Sequence, residues 1–302
     1  SVSLAEVGGD GNVTTGDTVR VTATVSDATN VSTVTTDLTA FGAGTVKLQD
    51  PDDDGVYRGN ATVGSGAAAD GKHAVTVNAT DAQGNDQTNA TGTLTLDATR
   101  PTVDASWIDD TADGDGTVTG GDFVTVSVEP SDGTTGVASV TADVSAFGAG
   151  TVTLTDGDDD GTYDAKVVVD GANTSVDGDH PANVTVTDAA GNERNDTTGD
   201  LTVDTTGPSL TSLELIDATD GDATVAVNDS VTVRADATDT TSDVESVTAF
   251  VFDFGAGSAV TLTDGDGDGT YDTNVTVQSG ASGGTQSATV FAEDAVGNSE
   301  SA

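Results

Sequence analysis

Residues 151–169 read TVTLTDGDDDGTYDAKVVV, and this stretch contains the pattern on which the rest of the chain is built. Apolar and threonine side chains alternate over residues 151–155, and residues 166–169 are largely apolar, so both flanks are predicted to be β-strands. Between them three aspartates alternate with other residues, and Gly161 then supplies the conformational freedom that a sharp turn needs. The stretch therefore predicts a strand, an acidic turn and a second strand.

The acidic loop has the chemistry of a site for a hard cation. Carboxylates at alternate positions of a tight loop can point at one ion, and the residue after the glycine can offer its backbone carbonyl. The loop returns as DGDGDGTYD at residues 264–272 and, in a weaker form, as DPDDDGVYR at residues 50–58. We expect Ca²⁺ as the ligand. The candidate ligands are Asp156, Asp158, Asp160 and Asp164, then Asp264, Asp266, Asp268 and Asp272, and in the weaker copy Asp50, Asp52 and Asp54.

Two positions distinguish these loops from one another and from an EF-hand. An EF-hand carries Glu at position 12 between two helices, whereas Val167 or Val275 stands there in this chain, between strands. Arg58 occupies the ninth position of the weaker copy, where the other two have Asp. The loops resemble the calcium-binding hairpin loops of integrin alpha-subunit propellers. The alternative is a solvated acidic turn, because Asp and Gly favour turns on their own.

Composition limits the partners and the habitat. The 302 residues include 52 acidic and 8 basic side chains, a formal net charge of −44, and no Cys or Met. Disulfides and thiolate metal sites are therefore excluded, and nucleic acid is an improbable partner because its phosphates would be repelled. Acid excess, scarce Lys and small apolar side chains resemble proteins of extreme halophiles, where salt shortens the Debye length to about 3 Å at 1 M and screens the repulsion.

Internal repeats predict the architecture. The tetrapeptide Phe-Gly-Ala-Gly begins at Phe41, Phe147 and Phe254, at spacings of 106 and 107 residues. Each unit has turn signals and about seven short alternating stretches, which predict an antiparallel β-sandwich. We predict three domains at residues 1–97, 98–204 and 205–302, joined end to end by short linkers. In the second unit the predicted strands are 103–108, 123–128, 137–144, 151–154, 163–169, 182–187 and 200–203.

Two further motifs carry a family resemblance. Residues 187–192 read TDAAGN, with counterparts at 80–85 and 293–298, and residues 203–208 read VDTTGP, with a counterpart at 96–101. These motifs resemble tandem immunoglobulin-like repeats of prokaryotic cell-surface proteins, including haloarchaeal surface-layer glycoproteins. The resemblance implies an all-β, extracellular structural protein and no enzymatic activity.

Strand direction predicts a second class of calcium site, at the junctions. In an antiparallel sandwich the loops after strands two, four and six lie at the end where the unit begins, whereas the loop after strand one lies at the far end. The acidic far end of one unit should therefore face the acidic near end of the next unit. The far-end aspartates are Asp10 and Asp17 in the first unit, Asp113, Asp115 and Asp122 in the second, and Asp220, Asp222 and Asp229 in the third. This arrangement is like that of cadherins, in which calcium between domains stiffens the chain. The candidate junction ligands are Asp97, Asp132, Asp188, Asp204, Asp239 and Asp294.

Ten asparagines begin the sequence N-x-S/T, which marks acceptor sites for N-glycosylation on a secreted surface. They are Asn12, Asn30, Asn60, Asn78, Asn89, Asn173, Asn183, Asn195, Asn228 and Asn274. The two histidines, His73 and His180, lack a Ser, Asp or Cys pattern that would make a catalytic or zinc site, and we predict loop or strand-edge positions for them. Trp107 and the recurrent Phe of Phe-Gly-Ala-Gly are predicted to pack in the cores.

These features lead to one functional hypothesis and one alternative. The chain is expected to be a segment of a longer secreted protein that self-associates in a surface layer, sheath or filament, with any membrane contact made by other parts of that protein. The alternative is an adhesin or stalk that presents a separate binding domain. The third unit reaches Ala302 four residues after Asn298, so it is expected to lack its seventh strand, supplied either by a longer chain or by a neighbouring molecule.

Overall fold

The computed structural model describes residues 1–9, 11–174 and 176–302, so Asp10 and Ser175 lie outside the described residues. The described residues form strands, turns and three single-turn 3-10 helices at Thr39–Phe41, Ser145–Phe147 and Phe252–Phe254. No helix in this part of the chain is long and apolar enough to span a membrane. The all-β prediction is confirmed.

The first repeat contains two sheets. Its strands are β1 (Val2–Glu6), β2 (Asn12–Val13), β3 (Thr18–Thr24), β4 (Val31–Asp37), β5 (Thr45–Lys47), β6 (Val56–Thr62), β7 (Gly71–Asp81) and β8 (Asp86–Leu96). One sheet has the order β1-β3-β6 and the other β2-β8-β7-β4-β5. Val19, Val21 and Ala23 alternate with exposed or half-buried residues along β3, so one face of each sheet closes on the core.

The second repeat has the same plan, but four short strands stand where the first repeat has the long strands β7 and β8. Its strands are β9 (Thr102–Asp110), β10 (Thr117–Val118), β11 (Phe123–Ser131), β12 (Val137–Asp143), β13 (Thr151–Leu154), β14 (Tyr163–Val168), β15 (Gly178–His180), β16 (Asn183–Asp188), β17 (Glu193–Thr197) and β18 (Leu201–Val203). They form sheets of order β9-β11-β14, β13-β12-β16-β17 and β10-β18-β15. All seven strands predicted for this repeat are present, and β10, β15 and β17 are additional to them.

The third repeat keeps the two main sheets. Its strands are β19 (Ser209–Asp217), β20 (Ser230–Thr238), β21 (Val244–Phe250), β22 (Ala259–Leu262), β23 (Thr270–Thr276), β24 (Thr289–Asp294) and β25 (Ser299–Ser301). The sheet orders are β19-β20-β23 and β22-β21-β24-β25. The short β25 pairs with β24 as β17 pairs with β16, so it is the counterpart of β17 and not of the predicted seventh strand, whose absence stays a prediction. Within residues 205–302, all of which are described, the β10-β18-β15 sheet of the second repeat has no counterpart.

Each repeat has its own hydrophobic core. The core of the first ends at Leu96, that of the second at Val203, and that of the third includes residues 231–292. The side chains are small, mostly Val and Ala, and each core contains one buried phenylalanine from the Phe-Gly-Ala-Gly turn. The domain boundaries at Asp97 and Asp204 stay a prediction, with which these separate cores are compatible.

The Phe-Gly-Ala-Gly turn explains why its glycine recurs. Gly148 ends a 3-10 turn with a φ of 85°, and a Cβ there would lie 2.7 Å from the carbonyl oxygen of Asp170. A side chain would therefore be strained by the backbone conformation and would clash with a neighbouring segment. The preceding Phe147 is fully buried, as predicted.

Trp107 does not pack in the core, which corrects the prediction from the sequence: the structure shows it half-buried outside the core cluster of the second repeat. A register shift between Glu129 and Pro130 places Ile108 opposite Val126 and Trp107 opposite Ser127. Because one extra residue reverses which side chains face inward, Ile108 packs inside and Trp107 lies on the other face.

Candidate metal centres

The acidic hairpin loops are closed by their first aspartate. In the loop between β13 and β14, the two carboxylate oxygens of Asp156 accept the backbone N–H groups of Asp160, at 3.1 Å, and of Gly161, at 3.0 Å. Asp50 accepts the corresponding N–H groups of Asp54 and Gly55. The glycine at position 6 takes a φ of 92° in Gly161, which a residue with a side chain rarely adopts.

This closure gathers carboxylate oxygens. One oxygen from each of Asp156, Asp158 and Asp160 lies within 4.8 Å of the others, and Asp50, Asp52 and Asp54 form the same cluster in the first repeat. In the third repeat four backbone N–H groups point at Asp264, and they lower the pKa of its carboxyl group, with Gly269 making the largest contribution. A carboxylate has about four lone-pair sites, so the two bonds to Asp156 and to Asp50 leave capacity for a cation, whereas the four bonds to Asp264 occupy it.

The ninth position differs among the three loops in a way that bears on metal binding. In the first loop, Arg58 Nη2 lies 3.7 Å from Asp54 Oδ2, so a basic side chain already contacts the carboxylate cluster. In the third, the predicted ligand Asp272 pairs instead with Arg234, with Nη2 3.3 Å from Oδ2. In the second, Asp164 is exposed and lies opposite Ser127 in the β11–β14 register. The second loop therefore has the acidic set with a neutral side chain across the ladder.

The junction between the first two repeats brings three aspartates together from three separate segments. Asp97 follows β8, Asp132 follows β11, and Asp188 ends β16. One carboxylate oxygen of each lies within 4.8 Å of the others, as the strand directions predicted. Asp97 is 0% and Asp188 2% exposed. Carboxylates at this depth repel one another and have lost most of their hydration, so the arrangement favours a bound cation or a proton.

The second junction repeats this geometry with Asp204, Asp239 and Asp294. Asp204 is 0% exposed, and the Ser242 side chain beside its carboxylate opposes the effect of burial on its pKa. Burial raises the pKa of Asp204, and the nearby charges of Asp239 and Asp294 act in the same direction. Burial likewise raises the pKa of Asp97. Two junctions with the same buried acidic cluster indicate a repeated structural device.

An asparagine completes each junction. Asn192 Nδ2 donates to the carbonyl oxygen of Asp97 at 3.1 Å, while its Oδ1 accepts the hydroxyl proton of Thr14 at 2.7 Å. Asn298 makes the same two bonds, to the Asp204 carbonyl and from the Thr119 hydroxyl. Each asparagine thereby ties its own repeat to the linker and to the repeat before it.

The far-end loops of the first two repeats contact the junctions through threonines, whereas the sequence analysis predicted that their aspartates would face the next repeat. The threonines at 14 and 119 make the contacts across the junctions, whereas Asp17 and Asp122 accept the backbone N–H groups of those threonines, each at 2.8 Å. Sequence reasoning missed the threonines, although both stand three residues before an aspartate in the same loop of consecutive repeats.

Another acidic cluster involves a residue that the sequence analysis did not single out. Asp110, at the end of β9, groups with Asp113 and Asp115 within 4.8 Å. Burial acts to raise the pKa of Asp110 but is outweighed by backbone N–H groups, foremost that of Ala112, so this pKa is lowered. Backbone donors thus already stabilise its charge.

Both histidines lie within strands. His73 lies on β7 and His180 on β15, and the Nε2 atom of each contacts the carbonyl oxygen of the residue four positions earlier, Ala69 or Val176. These equivalent contacts give both histidines a local structural role.

The candidate glycosylation sites differ in access. Eight of the ten asparagines are exposed, and Asn12 and Asn78 are half-buried. Asn12 Nδ2 donates to the carbonyl oxygen of Ala189 across the first junction, at 3.1 Å, so a glycan on that nitrogen would have to fit within this contact. Ser175, the hydroxyl residue of the Asn173 site, lies outside the described residues.

Comparisons with known proteins show similarity in sequence over part of the chain and in fold over the whole chain. No protein-family model matches the chain. A stretch of 90 residues, 28% of the chain, is 42% identical to part of halomucin from Haloquadratum walsbyi, and it covers 1% of that protein's length. The whole chain superimposes with a TM-score of 0.50 and 24% identity on 72% of a solved chain described as a Ca²⁺-stabilised adhesin that helps an Antarctic bacterium bind ice. It also aligns, at a TM-score of 0.41 and 21% identity, with 94% of a chain from a 1.5-MDa bacterial ice-binding adhesin. The chain therefore has the tandem β-sandwich fold of such repeat modules.

Proposed function

We propose that this chain is a structural segment of a cell-surface protein, in which calcium at the junctions holds successive β-sandwich repeats in a fixed orientation. The observation that carries the proposal is the buried acidic cluster at Asp97, Asp132 and Asp188 and its copy at Asp204, Asp239 and Asp294. A divalent cation would neutralise carboxylates contributed by the linker and by two loops of the following repeat. The cation would thereby fix the linker against the repeat that follows it. The hydrogen bonds of Asn192 and Asn298 would then orient the repeat that precedes each linker.

The hairpin loops have a secondary part in this proposal. Ca²⁺ is a hard cation that takes six to eight oxygen ligands, and the loops offer three clustered carboxylates together with backbone carbonyls and water. We assign the best hairpin site to the second repeat, because an arginine contacts the acidic set of each of the other two. These sites would stiffen individual loops, whereas the junction sites would set the angle between repeats.

The setting of the protein is part of the same proposal. The charge of −44, the sequence similarity to halomucin and the adhesin-like fold support an extracellular location on a halophile. The eight exposed N-x-S/T sites would carry glycans, while Asn12 and Asn78 would not. No catalytic role is proposed.

Small-angle X-ray scattering of the purified chain tests the junction hypothesis. In several-molar KCl with Ca²⁺ the chain should scatter as a stiff, extended particle, and chelation at the same ionic strength should broaden the distance distribution. A chain carrying both Asp97→Asn and Asp204→Asn should scatter in Ca²⁺ as the chelated protein does. Asp200→Asn with Asp109→Asn is the matched control, since it removes two exposed carboxylates that belong to neither junction cluster. An unchanged distance distribution upon chelation would refute calcium-dependent rigidity.

The assembly state decides between a structural lattice and the second candidate, a stalk that carries another domain. The fold shared with an ice-binding adhesin favours the stalk, and the sequence similarity to halomucin favours a surface coat. We propose self-association in a lattice or fibre as the first of the two. Electron microscopy in high salt with Ca²⁺ should show ordered arrays or fibres, and dispersed single particles at all protein concentrations would favour the stalk.

A further inference from the structure

Three phenylalanine side chains form a cluster on the outer face of the third repeat. Phe250 ends β21, Phe252 begins the following 3-10 turn, and Phe291 lies on β24. The ring of Phe250 stacks on Phe252 with centroids 5.5 Å apart and meets Phe291 edge to face at 5.1 Å. Phe252 is 58% and Phe291 38% exposed, so these rings lie outside the core. We call these three residues the phenylalanine patch.

The other two repeats have polar side chains at the same three positions. The second has Asp143, Ser145 and Thr185, and the first has Asp37, Thr39 and Asn78, at equivalent places in the ladders. In those repeats the aspartate has a structural role, because Asp143 accepts the backbone N–H of Ser145 at 3.0 Å, and Asp37 accepts that of Thr39 at 2.9 Å. A phenylalanine at position 250 cannot make this bond.

The patch therefore replaces a local stabilising interaction with exposed apolar surface. Contiguous exposed aromatic surface is uncommon on soluble proteins and marks sites of interaction. It is also unusual within this chain, where only 4% of residues are aromatic and the phenylalanines of Phe-Gly-Ala-Gly are buried.

The surroundings of the patch include hydrogen-bonding groups. Together with Asp253, Ser287 and Thr289, the three rings line a surface pocket of about 400 Å³. Asp253 stands where the other repeats have Ala40 and Ala146, and its Oδ2 accepts the Ser287 hydroxyl proton at 3.2 Å. At this position on its surface, the third repeat thus has three phenylalanine rings and the carboxylate of Asp253, none of which the other two repeats have at the equivalent residues.

Charge and ring geometry exclude two classes of ligand. Arg234 is the one basic residue among residues 205–302, and it pairs with Asp272, so an anionic ligand would meet only repulsion. Organic cations such as quaternary ammonium groups are bound in cages whose rings surround the cation. Here the rings contact one another at 5.1 and 5.5 Å between centroids, which leaves no space for a cation between them.

Area excludes a second copy as the occupant. Phenylalanine buries at most about 150–250 Å² when fully enclosed, so three partly exposed rings offer on the order of 300 Å². A stable interface needs about 800 Å² from each partner. The patch by itself is too small for that.

We propose that the phenylalanine patch binds a neutral polysaccharide from outside the chain. The C–H faces of pyranose rings would stack on the exposed faces of Phe252 and Phe291, and sugar hydroxyls would hydrogen-bond to Asp253, Ser287 and Thr289. Such a ligand is uncharged, flat and rich in hydroxyl groups, and a small contact area suffices for it. The third repeat would then be a contact point for a glycan as well as a structural segment, which goes beyond the function proposed above.

The test uses the full 302-residue chain, produced without glycans, in high salt with Ca²⁺. Neutral hexaoses of glucose in α-1,4 and β-1,4 linkage and of mannose are titrated in turn, with a hyaluronan hexasaccharide as the charged comparison. At least one neutral hexaose should receive magnetisation from the protein in saturation-transfer NMR and bind with a dissociation constant below about 5 mM, and the hyaluronan fragment should not. The double substitution Phe252→Ser and Phe291→Thr, which installs the residues of the second repeat, should weaken that binding at least tenfold.

A matched control separates the patch from aromatic exposure in general. Phe123 is 40% exposed on the second repeat, where it contacts Lys166, and Phe123→Ser should leave binding unchanged. Equal calcium-dependent melting of all variants would establish that they fold. Binding of no neutral hexaose, equal binding by the patch variant, or patch-dependent dimerisation in sedimentation would each overturn the proposal. Failure of these measurements leaves the calcium hypothesis intact, because scattering with and without Ca²⁺ tests that separately.

Discussion

The substitution Asp204→Asn should change the stability of the protein in opposite directions with and without calcium. Without a cation, the ionised Asp204 is a fully buried charge beside two other carboxylates, those of Asp239 and Asp294. A buried, unsatisfied polar group costs about 1–3 kcal/mol, and more if charged. Asparagine has nearly the same shape and no charge, so it should raise the free energy of unfolding by about 1–3 kcal/mol in chelator.

With calcium the order should reverse. A ligand that binds only the folded state stabilises it by about 2.7 kcal/mol at one hundred times its dissociation constant. For a domain of about 100 residues, 1 kcal/mol corresponds to roughly 4–8 °C, so the wild-type protein should gain roughly 10–20 °C from each occupied junction. The variant loses one of the three carboxylates at the second junction and should lose most of that gain.

Differential scanning calorimetry at constant ionic strength measures both effects. The wild type and Asp204→Asn are compared in EDTA and in excess Ca²⁺, with Asp200→Asn as a control that removes one exposed charge. The reasoning predicts curves that cross: the variant melts higher in EDTA and lower in Ca²⁺. If Asp204→Asn lowers the melting temperature by the same amount in both buffers, the carboxylate serves the fold itself, and the metal site is refuted.

Four further outcomes are expected. First, because Asp97 and Asp204 have raised pKa values, the stability that their protonation confers on the calcium-free protein is present below the usual value of 3.8 and is lost as the pH rises through the raised pKa, whereas the calcium increment shrinks on acidification; the difference in melting temperature between the wild type and the Asp97→Asn, Asp204→Asn variant, from pH 3 to 7 with and without Ca²⁺, should show these opposite slopes, because the other aspartates are common to both chains. Second, dialysis to low salt without divalent ions should abolish the β-sheet circular dichroism signal, because the charge of −44 is then unscreened, and an unchanged spectrum would mean that the small cores suffice. Third, Arg58→Asp should strengthen terbium binding at the first hairpin loop, since it removes the cation beside Asp54 and restores the ninth carboxylate; Arg20→Asp, on the neighbouring strand, controls for net charge. Fourth, hydrogen exchange should open the third repeat before the other two, since it has only the short β25 and no counterpart of the β10-β18-β15 sheet; equal protection in all three repeats would contradict this.

Much of this structure could be predicted from the sequence, because it depends on residues that are close together along the chain. Alternating Thr and Val predict strands, because side chains alternate between the faces of a sheet. The Phe-Gly-Ala-Gly turn and the first, third and fifth aspartates of each hairpin loop act within a few residues of one another, so their spacing fixes their relation. Even the meeting of Asp97, Asp132 and Asp188 followed from the sequence, because antiparallel strands fix the end of a sandwich at which each loop lies.

Contacts between segments that are far apart in the sequence could be known only from the tertiary structure. The register shift beside Pro130 directs Trp107 away from the core. No local sequence pattern predicts where one strand of a pair carries an extra residue. Arg234 and Asp272 stand 38 residues apart, and only the pairing of β20 with β23 places the arginine on a predicted calcium ligand. The phenylalanine patch likewise joins Phe250 and Phe252 to Phe291 across two paired strands. The sequence by itself determined the repeats, the turns and the acidic loops, because these depend on neighbours along the chain, whereas strand register decided which side chains meet, because it depends on the packing of the whole domain.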